Sequence, residues 1–191
     1  MENILLVSSS EKVSAMLTEL LKAELSASCQ ILAVPNGGEA RRALSQRDFD
    51  LILINTPLQD EFGHDLAVSA AHSTSSGVLL LVKSEMEDEI AGKVEDYGVM
   101  VAGKPISRQL FYQALKMLSA TQKRILGLRH ENIKLQNKIE EIRLVDRAKC
   151  VLIQYLNMTE PQAHRYIEKQ AMDLRATKME VAQGILKTYE S

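Results

Sequence analysis

The segment Asp50-Leu51-Ile52-Leu53-Ile54-Asn55-Thr56-Pro57-Leu58, DLILINTPL, reads as a buried strand that runs out into a polar loop at Asn55. The carboxyl end of such a strand is where an open α/β sheet presents its chemistry, and here an asparagine stands where an acid would be sought. Outward from this strand, short apolar runs alternate with helical periods. The runs are Ile4–Val7, Ile31–Val34, Val78–Val82 and Val99–Ala102. Between them, Val13, Leu17, Leu20, Leu21 and Leu25 recur at helical spacing, Asn36-Gly37-Gly38 leads into a second helix, and further helices are predicted near 64–72 and 86–96. Lys104-Pro105 interrupts the chain before Ser107 caps a helix through Leu110, Ala114 and Leu118. Five strand–helix units predict a doubly wound, five-stranded parallel α/β sheet with helices on both faces.

Beyond residue 120 the strand pattern stops. Ile125, Leu128, Asn132, Leu135, Ile139 and Ile142 recur at spacings of three and four, the seam of a coiled coil. Asn132 at an a position favours a two-stranded homodimer in fixed register. In a parallel pair, however, Arg124 would face Arg129 and Lys138 would face Arg143, which leaves the orientation of the helices open. Thr159-Glu-Pro-Gln162 and Thr177-Lys-Met-Glu180 each fit a capping box, and Pro161 suits a first turn. One long helix and two short ones are therefore expected.

Composition narrows the function. The chain of 191 residues is 46% hydrophobic and 25% charged, and no apolar run approaches the roughly 20 residues that span a bilayer, so a cytoplasmic protein is expected. Its net charge of −2 hides an asymmetry: residues 1–120 carry 10 Lys and Arg against 16 Asp and Glu, whereas residues 121–191 carry 13 against 9. The basic end is the candidate for a polyanionic partner. Cys29 and Cys150 lie far apart without a second Cys or His at metal spacing, and both are expected to be buried small hydrophobes. The four histidines belong to no motif with a nucleophile or metal.

The pieces ILLV, DLILIN, Gly63 eight residues after Asn55, VLLLV and Lys104-Pro105 resemble the receiver domain of bacterial response regulators over about residues 3–119. The resemblance implies a flavodoxin-like fold in which an aspartate after the third strand accepts a phosphoryl group beside a Mg²⁺ held by acids after the first strand. The matching positions carry Ser8, Ser9 and Asn55, while Val82 and Val101 match the hydroxyl and aromatic positions that report phosphorylation. Neutral hydroxyl and amide oxygens hold a hard dication poorly, and an amide is no carboxylate nucleophile. A degenerate pocket of Ser8, Ser9, Asn55, Val82 and Lys104 is expected, without metal, cofactor or catalytic residue. Lys104 is expected to hydrogen-bond Asn55, serine hydroxyls or carbonyls, and the resemblance implies a cis peptide at Lys104-Pro105.

The tail carries a second resemblance. Arg143-Leu-Val-Asp-Arg147-Ala148-Lys149-Cys150, Met158-Thr159-Glu160-Pro-Gln-Ala163, Tyr166-Ile167-Glu-Lys-Gln-Ala171-Met172 and Lys178-Met179-Glu-Val181-Ala182 look like the ANTAR domain, a three-helix RNA-binding module of transcription antiterminators. Cys150 replaces the glycine common after Ala-Lys. Membership implies binding to paired stem-loops in nascent leader mRNA, which keeps a terminator hairpin from forming. It also implies that some such regulators are held inactive by a ligand-sensing partner protein. Arg147, Lys149, Arg165, Lys169, Arg175 and Lys178, with Thr159 and Gln162 at a helix start, are the candidate RNA contacts. Tyr155 and Tyr166 fall beside Leu152 and Ala163 and are expected to pack in the core.

The expected organisation is a pseudo-receiver over 1–119, a coiled-coil linker helix over 120–146, an all-α ANTAR domain over 125–186 that overlaps it, and a tail over 187–191. The function implied is an RNA-binding antiterminator controlled by protein contact. A DNA-binding response regulator, or an interaction adaptor without nucleic-acid binding, is the alternative.

Overall fold

Leu51–Asn55 is a strand with every residue buried, and it occupies the centre of a five-stranded parallel sheet. We describe residues 2–25 and 29–189 of a computed structural model; Met1, residues 26–28 of the expected first domain, and Glu190 and Ser191 of the expected tail lie outside the described residues. The chain divides into two units between Gly127 and Leu128.

In the first unit the strands β1 (Asn3–Ser8), β2 (Gln30–Val34), β3 (Leu51–Asn55), β4 (Gly77–Lys83) and β5 (Met100–Lys104) lie in the order β2-β1-β3-β4-β5. Successive side chains of a strand point to opposite faces, so the central strands supply two cores. Leu5, Val7, Ile52, Ile54, Leu80 and Val82 pack against α2 (Gly37–Gln46), α3 (His64–Ser73) and α4 (Glu87–Val94). Ile4, Leu6, Leu51, Leu53, Leu79 and Leu81 pack against α1 (Glu11–Glu24) and the start of α5 (Arg108–Leu156), through Leu17, Leu21, Phe111, Ala114 and Leu118. Burial on both faces is why these strands read as unbroken apolar runs. This is the doubly wound flavodoxin-like order expected from the sequence.

Asp50 ties the lower edge of this unit together. Its carboxylate accepts from the N–H groups of Glu2 (2.5 Å) and Asn3 (3.1 Å), and from Gln122 Nε2 of α5 (3.2 Å). Burial alone would raise its pKa, but these three donors outweigh burial and hold it below the usual carboxylate range.

The helix expected through Leu118 and the coiled-coil helix after it are one element, α5, of 49 residues. No proline separates them, and Gly127, at about 1 kcal/mol against alanine, does not break a helix supported on both sides. Along α5 the seam residues are exposed: Ile125 by 40%, Leu128 by 56%, Leu135 by 65%, Ile139 by 50% and Ile142 by 51%, with Asn132 exposed among them.

The second unit packs the end of α5 against α6 (Glu160–Leu174) and α7 (Lys178–Tyr189). Its core is Ala148, Val151, Leu152, Ala163, Ile167, Ala171, Val181, Ala182 and Leu186. Both capping boxes form. The Thr159 N–H donates to Gln162 Oε1 at 2.8 Å; the Thr177 N–H donates to Glu180 Oε2 at 2.8 Å, and the Glu180 N–H returns to Thr177 Oγ1 at 3.2 Å. The two helix junctions place Asn157 (φ 51°) and Arg175 (φ 52°) in the left-handed conformation that ends helices. Cys29 is buried as expected, whereas Cys150 is exposed: it lies on the side of α5 away from Ala148, Val151 and Leu152, which face the core.

Lys178 donates to Glu168 Oε1 at 2.6 Å and so links α7 to α6. That bond, then the charges of Lys178 and His164, hold the Glu168 carboxyl below the ordinary glutamate range. A carboxyl with a lowered folded pKa contributes stability that is complete above its unfolded pKa and is lost as pH falls through the folded value. Glu168→Gln is expected to reduce hydrogen-exchange protection of α6 and α7 at neutral pH, with the difference from wild type shrinking as pH falls below the glutamate range. A difference constant with pH contradicts the linkage.

Candidate functional site

The parallel register brings the pocket residues together from distant segments. Ser8 at the end of β1 lies beside Asn55 at the end of β3, Asn55 beside Leu81, and Lys83 beside Lys104. The Asn55 amide is used at both ends: Nδ2 donates to Ser8 Oγ at 3.1 Å, and Oδ1 accepts from Lys104 Nζ at 2.9 Å. Lys104 Nζ also donates to the Thr56 carbonyl. Ser9 Oγ donates to the Pro57 carbonyl at 2.9 Å, and Thr56 Oγ1 to the Leu81 carbonyl at 2.9 Å. Both Thr56–Pro57 and Lys104–Pro105 are cis. Val82 is fully buried in the sheet core and takes no part in the polar cluster.

Among the described residues the Lys104 ammonium hydrogen-bonds neutral oxygens only. Burial, and then the charge of Lys83, lower its pKa from the usual lysine value. Ser8, Ser9, Asn55 and Thr56 supply hydroxyl, amide and carbonyl oxygens but no carboxylate, so this donor set does not fit a Mg²⁺ ion. Among the described residues no cluster of three His, Cys, Asp or Glu side chains is arranged to hold a metal.

The loop after Asn55 is tied down by its own acids. Asp60 accepts from the N–H groups of Gly37 (2.8 Å) and Gly38 (2.9 Å) at the start of α2, where a helix end favours an anion. Glu61 accepts two hydrogen bonds from Arg41, at 2.7 and 3.0 Å. A Cβ on Gly37 would lie 2.0 Å from Glu61 Oε1, so a side chain there would displace the Glu61–Arg41 pair. Gly63 follows at φ 110°.

In the second unit the candidate basic residues separate into two groups. Lys149 is 16% exposed and held between Asp146 (2.8 Å) and Glu160 (3.0 Å); these acids, Asp146 first, raise its pKa above the usual lysine value. Lys178 is engaged by Glu168. Arg147 is exposed on α5, and Arg175 is exposed at the left-handed end of α6. Arg165 and Lys169 are exposed one turn apart on α6 and have no ion pair among the described residues.

Gln162, Arg165 and Lys169 line one shallow concavity of about 450 Å³ with Leu156, Asn157, Met158 and Tyr166. Thr159 stands at its helix start as a cap, and Glu160 brings a carboxylate to that end. Tyr166 and Tyr155 depart from expectation. Tyr166 is 37% exposed and Tyr155 54%, the latter with its ring 5.5 Å from that of Tyr189. Their places one helical turn after Leu152 and Ala163 suggested a core position, but the buried face of α6 runs through Ala163, Ile167 and Ala171. Tyr166, three residues after Ala163 and three before Lys169, stands at the edge of that face and borders Gln162 and Lys169.

Comparison with known proteins agrees with both halves. The ANTAR domain family matches residues 134–186. The transcriptional regulatory protein PdtaR of Mycobacterium tuberculosis, in strains CDC 1551 / Oshkosh and H37Rv, is 29% identical over 154 residues, which cover 80% of this chain and 75% of that protein. Among solved structures, the signal receiver domain of an HD domain-containing protein from Pseudomonas fluorescens Pf-5 superposes with a TM-score of 0.58 at 22% identity, covering 66% of this chain and 92% of that one. A response regulator receiver domain protein from Clostridium thermocellum gives 0.58 at 16% identity, covering 65% and 99%. These structural likenesses concern the fold alone. The first unit thus has a receiver-like fold, and residues 134–186, in the second, match the ANTAR domain family.

Proposed function

We propose that this protein is an RNA-binding transcription antiterminator: it binds paired stem-loops in nascent leader mRNA and so prevents a terminator from forming. The observation that carries the reading is the ANTAR match at residues 134–186, within which Arg165 and Lys169 stand exposed without a counter-ion among the described residues. RNA loops offer phosphates and unstacked bases to such a surface. The name of the PdtaR relative supports a role in transcriptional regulation. Lys149 and Lys178, each held by carboxylates, are better read as ties between helices than as RNA contacts.

The receiver-like unit, in this reading, accepts no phosphoryl group and is controlled by contact with another protein, such as a ligand-sensing regulator, in the cytoplasm. Neutral oxygens at Ser8, Ser9 and Asn55, with Lys104 already bonded to Asn55, support this. A homodimer through Ile125, Leu128, Asn132, Leu135, Ile139 and Ile142 would cover five half-exposed apolar side chains per helix, at about 1 kcal/mol each. Two tails in one dimer would grip two hairpins, the second at high effective concentration.

Gel shifts are expected to show tight binding to a two-hairpin RNA and weak binding to matched duplex DNA or hairpin-free RNA. Arg165→Ala and Lys169→Ala should each weaken binding and lower the salt slope by about one. Tight binding to duplex DNA alone supports a DNA-binding regulator instead.

Acetyl phosphate with Mg²⁺ should yield no hydroxylamine-labile adduct. The combined variant Ser8→Asp, Ser9→Asp, Asn55→Asp is the control in which carboxylates return, and an adduct on the wild-type chain overturns the reading. Asn132→Asp should shift the sedimenting species toward monomer, because two facing carboxylates repel at an a position. An unchanged sedimentation coefficient would remove the seam from the dimer.

A further inference from the structure

We infer that Tyr166 is a stacking platform for one unpaired base of an RNA loop, with Arg165 and Lys169 holding the adjoining phosphates; the inference rests on the RNA-binding reading above. The buried face of α6 is formed by Ala163, Ile167 and Ala171. Gln162, Arg165 and Lys169 lie on the outer side of the helix, and Tyr166, three residues from both Ala163 and Lys169, stands at the border between that side and the buried face. At that border the ring is partly covered and partly open to solvent, so a portion of a large apolar surface is left for a ligand to cover.

The surroundings of the ring fit a flat ligand. Tyr166 lines two shallow concavities, one of about 450 Å³ toward Leu156, Asn157 and Met158, the other of about 390 Å³ toward α7. Its hydroxyl has no hydrogen-bond partner among the described residues. Only the first concavity also contains Arg165 and Lys169, so the charge favours that side. Two cations with no ion pair among the described residues, beside an aromatic ring, complement a polyanion whose rings are free to stack: a single-stranded nucleic acid.

Gln162 adds a directional contact. Its Oε1 is occupied by the Thr159 N–H at 2.8 Å, so the amide NH₂ is the group left to meet an acceptor on a base edge. A base inside a continuous duplex is already stacked on both faces and offers nothing to Tyr166. A splayed loop base does, and the platform thereby separates hairpin loops from plain duplex.

The test uses the full-length protein and a pool of tandem RNA hairpins with fixed stems and randomised loops, beside the same stems closed into continuous duplex. Tyr166→Phe should bind the pool within about twofold of wild type. Tyr166→Leu, which keeps an apolar side chain without the ring, should lose about five- to a hundredfold on hairpins, with no change on duplex. Circular dichroism reports whether the variants fold.

A loop base replaced by 2-aminopurine in a selected hairpin gives a second measurement that needs no variant. Its fluorescence should be quenched when wild-type protein binds, as a ring stacks on it. Tight binding of wild type with unchanged affinity for Tyr166→Leu, or with brightening of every labelled loop position, overturns the platform while leaving RNA binding in place. Failure of wild type to bind any member of the pool overturns the RNA reading and the platform with it.

Discussion

Both faces of β1, β3 and β4 are buried, and most of the receiver-like unit follows from that constraint. Strands so enclosed must be apolar throughout, must lie parallel with helices crossing between them, and must bring their first polar residues to a common edge. Ser8 and Asn55 are those residues, paired by register although 47 positions apart in the chain. Lys104 arrives at the same edge from β5 and finds the Asn55 amide oxygen and the Thr56 carbonyl. The pocket is therefore an outcome of the sheet, and a change of its chemistry leaves the fold intact.

The same logic carries through α5 with a different result. One stripe of this helix, Phe111, Ala114 and Leu118, is covered by the sheet, and Gln122 continues it with a polar tie to Asp50. Near the far end, Ala148, Val151 and Leu152 are covered by α6 and α7. Between them Ile125 to Ile142 keep the apolar spacing but have no cover. An amphipathic helix pattern states which side wants burial; it does not state what buries it.

That distinction explains what could be read in advance. The buried strands, the two capping boxes and the neutral residues at Ser8, Ser9 and Asn55 follow from patterns local to a few residues, whereas the sheet order was implied by the resemblance to receiver domains. The continuity of α5 was obscured because its stripe changes neighbour at about residue 120, which reads as a break although no proline or turn residue marks one. Cys150 looked buried because a free cysteine usually packs as a small hydrophobe, and Tyr166 because it lies one turn from Ala163, whereas Cys150 sits on the side of α5 away from the core and Tyr166 at the border of the buried face of α6. The capture of Lys149 by Glu160 depends on the turn at Asn157, whose left-handed backbone returns α6 toward α5. No local pattern encodes that meeting.

The basic surplus of the second unit is thus less uniform than a charge count implies. Lys149 and Lys178 are spent on Asp146, Glu160 and Glu168, and these pairs fasten α5 to α6 and α6 to α7. An exposed ion pair adds little stability, but it removes a cation from competition for phosphate. Arg165 and Lys169 have no such acids among the described residues, and they line a shallow concavity with the partly exposed ring of Tyr166. Fixed pairs keep the helices in place so that the unpaired charges and Tyr166 hold one geometry. In the RNA-binding reading proposed above, a surface whose supporting helices are tied in place loses less on binding than one that must first be ordered, and that argues for the outer face of α6, more than the total charge, as the place to seek recognition.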